Sequence, residues 1–148
     1  MSTVKQTVGS FNAVTVTGLS TLASATYVLS NEVDNTTNQP LDLLVMLEAT
    51  PGTVSGNKQA IVFAITSDGT NYQTGPTSGL TTTDEAVLTY VGTLPLPSNS
   101  TQQRKFFSVA NAFGGVLPAK LKFVVKNDSG ASFTAGAIKT AEIGATVA

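Results

Sequence analysis

The stretch Lys58-Gln59-Ala60-Ile61-Val62-Phe63-Ala64-Ile65-Thr66 decides the fold. In an extended chain successive side chains point to opposite faces, so Ile61, Phe63 and Ile65 share one side and Ala60, Val62 and Ala64 the other. Both sides are apolar, which places this strand in the middle of a sheet, covered on each face. Just upstream, Leu41 to Glu48 puts Leu41, Leu43, Val45 and Leu47 on one face, with Asp42 and Glu48 marking the ends of the other. Two strong strands in succession predict an all-β chain.

Working outward, shorter alternating runs recur between clusters of Gly, Asn, Asp, Ser and Pro. Val14 and Val16 alternate with Thr15 and Thr17, and Leu22 to Leu29 forms a second early strand. Ala86 to Leu94 ends at Leu94-Pro95-Leu96-Pro97, where proline has no N–H to give a ladder. Lys120 to Lys126 places Leu121, Phe123 and Val125 opposite Lys120, Lys122 and Lys126, and Asn127-Asp128-Ser129-Gly130 then supplies turn chemistry. Ala137 to Val147 alternates weakly through Ile143 and Val147; its small residues suggest an edge or a close backbone approach. The reading is one antiparallel β-sandwich, jelly-roll-like, of about eight strands. One stretch differs: Phe106, Val109, Ala110 and Phe113 recur at helical spacing before Gly114-Gly115, predicting a short helix over Phe106 to Ala112, with another strand as the rival. Phe106, Phe107 and Phe113 are expected to plug the core.

Composition narrows the function. The 148 residues suit one domain, residues 11–148, behind an extended N-terminal arm, residues 1–10. Charged residues are only 11% of the chain, less than half of the ~25% usual for globular domains, so its polarity comes from Ser, Thr, Asn and Gln. A net charge of −1 with scattered basic residues argues against nucleic acid as a partner. Neither a signal-peptide pattern nor a membrane-length apolar run is present, so no membrane partner is expected, and the chain is expected to be made and kept soluble, or released without a cleaved signal.

The chain has no His and no Cys, which removes the commonest general base, the commonest metal ligand and the best thiol nucleophile. No catalytic residue, metal ligand or cofactor is assigned, and the chain is not expected to be an enzyme. Glu32, Asp34, Asp68, Asp84, Glu85 and Asp128 fall at strand ends or in turns, where Asp has its own hydrogen-bonding reasons to be. Asp84-Glu85, the adjacent acidic pair, precedes a strand and either guards an edge or holds a cation. An enzyme working with carboxylates alone would need two of them facing across a cleft.

Three groups are candidates for contact. In the arm, Val4, Val8 and Phe11 are apolar handles by which a strand is added to a neighbour. The row Lys120, Lys122 and Lys126 could meet an acidic partner surface or simply be solvated. Thr66-Ser67-Asp68-Gly69-Thr70-Asn71-Tyr72 is similar to a hairpin of discoidin-like, galactose-binding jelly rolls, and would make Asp68, Asn71 and Tyr72 a ligand hairpin for a glycan or an ion. The alternative is a type I′ turn with Gly69 at positive φ and Tyr72 packed back on the sandwich.

The order Lys58-Gln59-Ala60-Ile61-Val62-Phe63-Ala64, Ser67-Asp68-Gly69-Thr70-Asn71-Tyr72, Phe107-Ser108-Val109-Ala110-Asn111-Ala112-Phe113-Gly114-Gly115-Val116-Leu117-Pro118 and Phe123-Val124-Val125-Lys126-Asn127-Asp128-Ser129-Gly130 resembles the small jelly-roll capsid decoration, or cement, proteins of tailed bacteriophages. The resemblance covers about the C-terminal two-thirds. It implies a virion structural protein on the capsid exterior that binds the major capsid protein and stabilises contacts between its subunits, as a homo-oligomer with a trimer preferred. The other readings are a carbohydrate-binding module and a tail-associated receptor-binding sandwich.

Overall fold

The computed structural model describes residues 1–147. Its strands are β1 (Val4–Val8), β2 (Asn12–Val14), β3 (Tyr27–Leu29), β4 (Val33–Asp34), β5 (Asp42–Pro51), β6 (Gln59–Thr66), β7 (Thr89–Pro95), β8 (Gln103–Ser108), β9 (Lys120–Asp128) and β10 (Phe133–Val147), with one short helix, α1 (Val109–Ala112). All pairings are antiparallel. One sheet runs β1-β10-β5-β8, with β2 also on β10; the other runs β3-β9-β6-β7, with β4 also on β9. If β1 with β2, and β3 with β4, are each taken as one interrupted strand, eight positions remain. Their pairings nest: β6 with β7 innermost, then β5 with β8, then β3 and β4 with β9, then β1 and β2 with β10. That is the wrapped double sheet of a jelly roll.

The two inner faces supply the main core. Leu43, Val45, Leu47 and Ala49 of β5 meet Ala60, Val62 and Ala64 of β6 and Leu121, Phe123 and Val125 of β9, all with at most 1% of their surface exposed. The other face of β6 is buried as well. Phe63 and Ile65 pack with Val124, Tyr27 and Leu88 under residues 67–88, which cross the outside of that sheet. The two-faced pattern of β6 thus reports a real second core.

Several boundaries depart from the sequence reading. Leu41 lies before β5 and is 62% exposed, because the chain turns at Pro40 and breaks the alternation that continues from Leu43. Of the early strand expected over Leu22 to Leu29, only Tyr27–Leu29 is extended; Leu22 is buried beside a 3₁₀ turn at Leu19–Thr21. The helix begins three residues later than expected, since Phe106 and Phe107 are claimed by the β5–β8 ladder opposite Met46 and Val45. Ser108 caps it, accepting from Asn111 N at 3.2 Å, and the Asp42 carboxylate accepts from Ala110 N at 2.8 Å. Phe107 and Phe113 pack on the core, but Phe106 points outward and is 47% exposed, because neighbours along a strand face opposite ways. β10 is paired with β5 from Phe133 to Ile143, and on its other side with β2 over residues 138–140 and with β1 from Ile143 to Val147; its small residues permit close approach: a Cβ on Gly136 would meet the Leu19 side chain at 3.0 Å.

Asn127 belongs to β9 as well as to the turn expected there, and it is fully buried. Its amide donates to Leu22 O and Ala131 O, both at 2.7 Å, and its Oδ1 accepts from Ser129 N at 3.0 Å and Ser129 Oγ at 2.7 Å. All four of its hydrogen-bonding positions are used, tying two loops to one strand end. Asn127→Leu strands these buried partners at about 1–3 kcal/mol each, so it should cost about 3–5 kcal/mol in a denaturant melt. A loss below about 1 kcal/mol would show that the network carries little.

Candidate docking surface

Opposite residues of an antiparallel pair share a face, so the register fixes what each sheet shows to the outside. On the sheet containing β10 the core-facing residues are Leu43, Val45 and Leu47; the outward set is Leu44, Met46, Glu48 and their partners. That set includes Lys139, Ala141 and Ile143 of β10, Ala13 of β2 and Phe106 of β8; Met46 and Ala141 are buried, whereas Lys139 is exposed. Phe11 joins it through an edge-to-face contact with Phe106, ring centroids 5.6 Å apart.

The same face continues past the end of β5. β10 pairs with β5 as far as Ile143 opposite Asp42, but it pairs with β1 through Val147 opposite Val4. The last four residues of β10 and most of β1 therefore form a two-stranded ribbon beyond the sheet. Val4, Val8, Ile143, Ala145 and Val147 lie on its outward side with Gln6, while Lys5, Thr7, Gly144 and Thr146 lie on the other. Val4 is 69%, Val8 58% and Val147 72% exposed. The structure thus gathers Val4, Val8 and Phe11 on one outward face and adds Ile143, Val147 and Phe106, which the sequence reading did not assign to a surface. The alternation of Ile143 and Val147 was visible; which face it served depended on the partner strand.

The lysine row lies on the opposite sheet and is engaged within the chain. Lys126 Nζ is 2.8 Å from Glu85, Lys120 Nζ is 3.8 Å from Glu32, and Lys122 Nζ lies 4.5 Å above the Tyr72 ring. Glu85 also accepts from the Tyr27 hydroxyl, and Glu32 from the Tyr72 hydroxyl. Each carboxylate is shared between a lysine of β9 and a tyrosine; Glu85 and Tyr72 thereby fasten both ends of the 67–88 excursion. Burial pushes the Glu85 carboxyl up, but the Lys126 ammonium and Tyr27 hydroxyl outweigh it and hold it below the usual carboxylate range. Its neighbour Asp84 is the left-handed residue that opens the 3₁₀ turn Glu85–Val87.

The Asp68 hairpin is likewise committed to folding. Asp68 Oδ1 accepts from Thr70 N at 2.8 Å and Asn71 N at 2.7 Å. Of residues 68–71 only Gly69 has positive φ, 101°, so the turn is not the type I′ form with two left-handed residues; the carboxylate closes it instead. Tyr72 packs on the outer core with its ring face under Lys122. Asp68, Asn71 and Tyr72 are adjacent, but the stacking face and the carboxylate already have partners.

A cavity of about 420 Å³ lies in the notch where β5 leaves β10, lined by Thr7, Val8, Asn38, Leu41, Glu142 and Gly144 among others. Glu142 is the one acid lining it, and Asn38 Nδ2 lies 3.1 Å from both its oxygens. Among the described residues no group of three or more acids could hold a metal ion, and no helix is long and apolar enough to cross a membrane. The sequence matches no family model and no curated protein.

Burial, and the hydrogen bond to Glu32 with its negative charge, push the Tyr72 phenol up to about 12 from 10.0. A phenol raised by folding keeps a proton that the unfolded chain has already lost. Its contribution to stability is therefore whole below 10.0 and disappears as pH climbs towards 12. In tyrosinate absorbance titrations, the difference between the native protein and Tyr72→Phe should centre near 12, and Glu32→Gln should move it down towards 10.0. A Tyr72 component already centred at 10.0 in the native protein would show that the clamp is open.

Proposed function

We propose that this protein is a virion structural protein that binds the outer face of a phage capsid and stabilises contacts between major capsid subunits, as a homo-oligomer for which the family resemblance implies a trimer. The observation that carries the reading is the outward face of the β10 sheet, where Phe11, Phe106, Val8, Val147 and Val4 form an exposed apolar series from mid-sheet to the ribbon tip. Isolated exposed apolar residues are ordinary, but an aligned series on one face marks a contact surface. Among the described residues the charges on that face include the Glu48–Arg104 ion pair, at 3.0 Å, and Lys139 opposite Met46, while the series from Phe106 to the ribbon tip is uncharged, so contact along it rests on shape and apolar burial. A lattice multiplies such contacts, and many weak ones make a tight attachment.

Two features support a shell over a glycan as the ligand. The Tyr72 face is occupied by Lys122, and the apolar series is long and shallow, the form of a protein contact rather than a sugar pocket. The purified chain should co-sediment saturably with assembled phage heads and not with free capsid subunits, and heads lacking it should burst more readily. Val8→Asp, at an exposed position, should leave the melting temperature within a few degrees and weaken head binding at least tenfold. Full binding by Val8→Asp and by Phe106→Asp would remove this face from the contact; binding to a glycan, lost on Tyr72→Ala, would replace the reading altogether.

A further inference from the structure

The ribbon has a bare edge whose geometry is set by the bonds beside it. Leu41 N–H donates to Ile143 C=O at 2.8 Å, so the polar groups of residue 143 face the β5 side. Gly9 N–H donates to Glu142 C=O at 2.8 Å, so those of residue 142 face the β1 side. Backbone groups alternate along a strand: Gly144 and Thr146 bond to β1, whereas Ala145 and Val147 turn their N–H and C=O towards the edge that β5 has left. Pairing between β10 and β5 ends at Ile143, and among the described residues no other strand takes its place.

The edges on β8, β7 and the far side of the ribbon are guarded. β8 carries Arg104 and Lys105, β7 ends in Pro95, and the outer edge of the ribbon on β1 carries Lys5. Charges and prolines of this kind deter strand addition. Residues 143–147, Ile-Gly-Ala-Thr-Val, contain neither.

We infer that this edge pairs with the same edge of a second copy. Two identical strands laid antiparallel are self-complementary about a two-fold axis, and any charge near the axis would face its own twin. Residues 143–147 are neutral, whereas β1 edges brought together would bring two Lys5 side chains near each other. With the axis at Thr146, Ala145 of one chain faces Val147 of the other and all four free backbone groups on each copy find partners. Directly opposite residues share a face, so the two apolar series join into one surface across the dimer. The notch beside Leu41 is where the partner strand enters, filling the position that β5 vacates. Antiparallel pairing closes at two copies, so it is a contact distinct from any three-fold one, and it holds or fails independently of what the apolar face binds.

The chain has no cysteine, which makes the test clean. Thr146→Cys places two sulfurs on the axis, with Cα atoms about 4.5 Å apart in a non-hydrogen-bonded pair, within disulfide reach. Under mild oxidation it should form a covalent dimer, while Lys5→Cys, opposite it on β1 but one strand further from the axis on each copy, should not. Ala145→Lys guards the edge without touching the bonds to β1; added to Thr146→Cys it should cut the dimer yield at least tenfold. In sedimentation equilibrium the average mass of the unmodified chain should rise with concentration, and that of Ala145→Lys should stay at one chain. Equal cross-linking of Lys5→Cys and Thr146→Cys, cross-linking that survives Ala145→Lys, or a single-chain mass at every concentration would overturn the inference.

Discussion

Pairing between β5 and β10 begins with Pro51 opposite Phe133 and stops at Asp42 opposite Ile143, and both the sandwich and its ribbon follow from where that ladder ends. Three local causes set the stop. Pro40 has no N–H to contribute, Gln39 is in the left-handed region at φ 46°, and the Asp42 carboxylate is taken by Leu43 N at 2.7 Å, by the Ser108 hydroxyl and by Ala110 N at the start of α1. β10 meets no such interruption, because β1 supplies partners on its other side as far as Val147. One strand outlasts its neighbour, and the surplus becomes a ribbon with an apolar side and an open edge. A two-stranded ribbon is marginally stable alone in water, so this one gains from a contact that covers it.

The two sheets treat their outer faces differently. Outside β6 and β9, Phe63, Ile65 and Val124 are covered by residues 67–88, fastened by Glu85 and Glu32, each between a lysine and a tyrosine. The Glu85 bonds are partly buried and charge-assisted, and are worth more than the exposed Lys120–Glu32 pair. Outside β5 and β10, among the described residues, no comparable excursion crosses, and Phe106, Val8 and Val147 stay exposed. The sandwich therefore has a closed side and an open one, and the open side is the one that continues into the ribbon.

Much of the fold was legible because it rests on alternation, a local property. β6, β5 from Leu43 on, and β9 read correctly since each places apolar residues at every second position against a core. The start of β8 did not, because Phe106 ends an alternation while Val109, Ala110 and Phe113 begin a helical spacing, and the two run together in sequence. Leu41 misled for the same reason: it extends the β5 period by one step beyond the turn. The site was legible only in part. Val4, Val8 and Phe11 stand out as apolar residues in a polar segment, but their union with Ile143, Val147 and Phe106 depends on pairings between chain segments more than ninety residues apart. The lysine row shows a spacing of two without showing that Glu85 and Glu32, far away in sequence, already answer it.

The scarcity of charge now has a structural meaning. Carboxylates that would ordinarily keep neighbouring molecules apart are spent inside the fold: Asp42 on α1, Asp68 on its own turn, Glu32 and Glu85 on the excursion, and Asp128 on the side-chain amides of Asn57 and Gln59 at 3.0 Å. A protein that works alone at high concentration benefits from unspent like charge, which keeps molecules from associating. Here the charges of the open face are confined to the sheet, Glu48, Arg104 and Lys139 among them, and the ribbon carries none on its apolar side or open edge, so neither strand addition nor apolar burial is opposed there when neighbours are brought close. Association is then set by how often copies meet, and it rises with their local concentration.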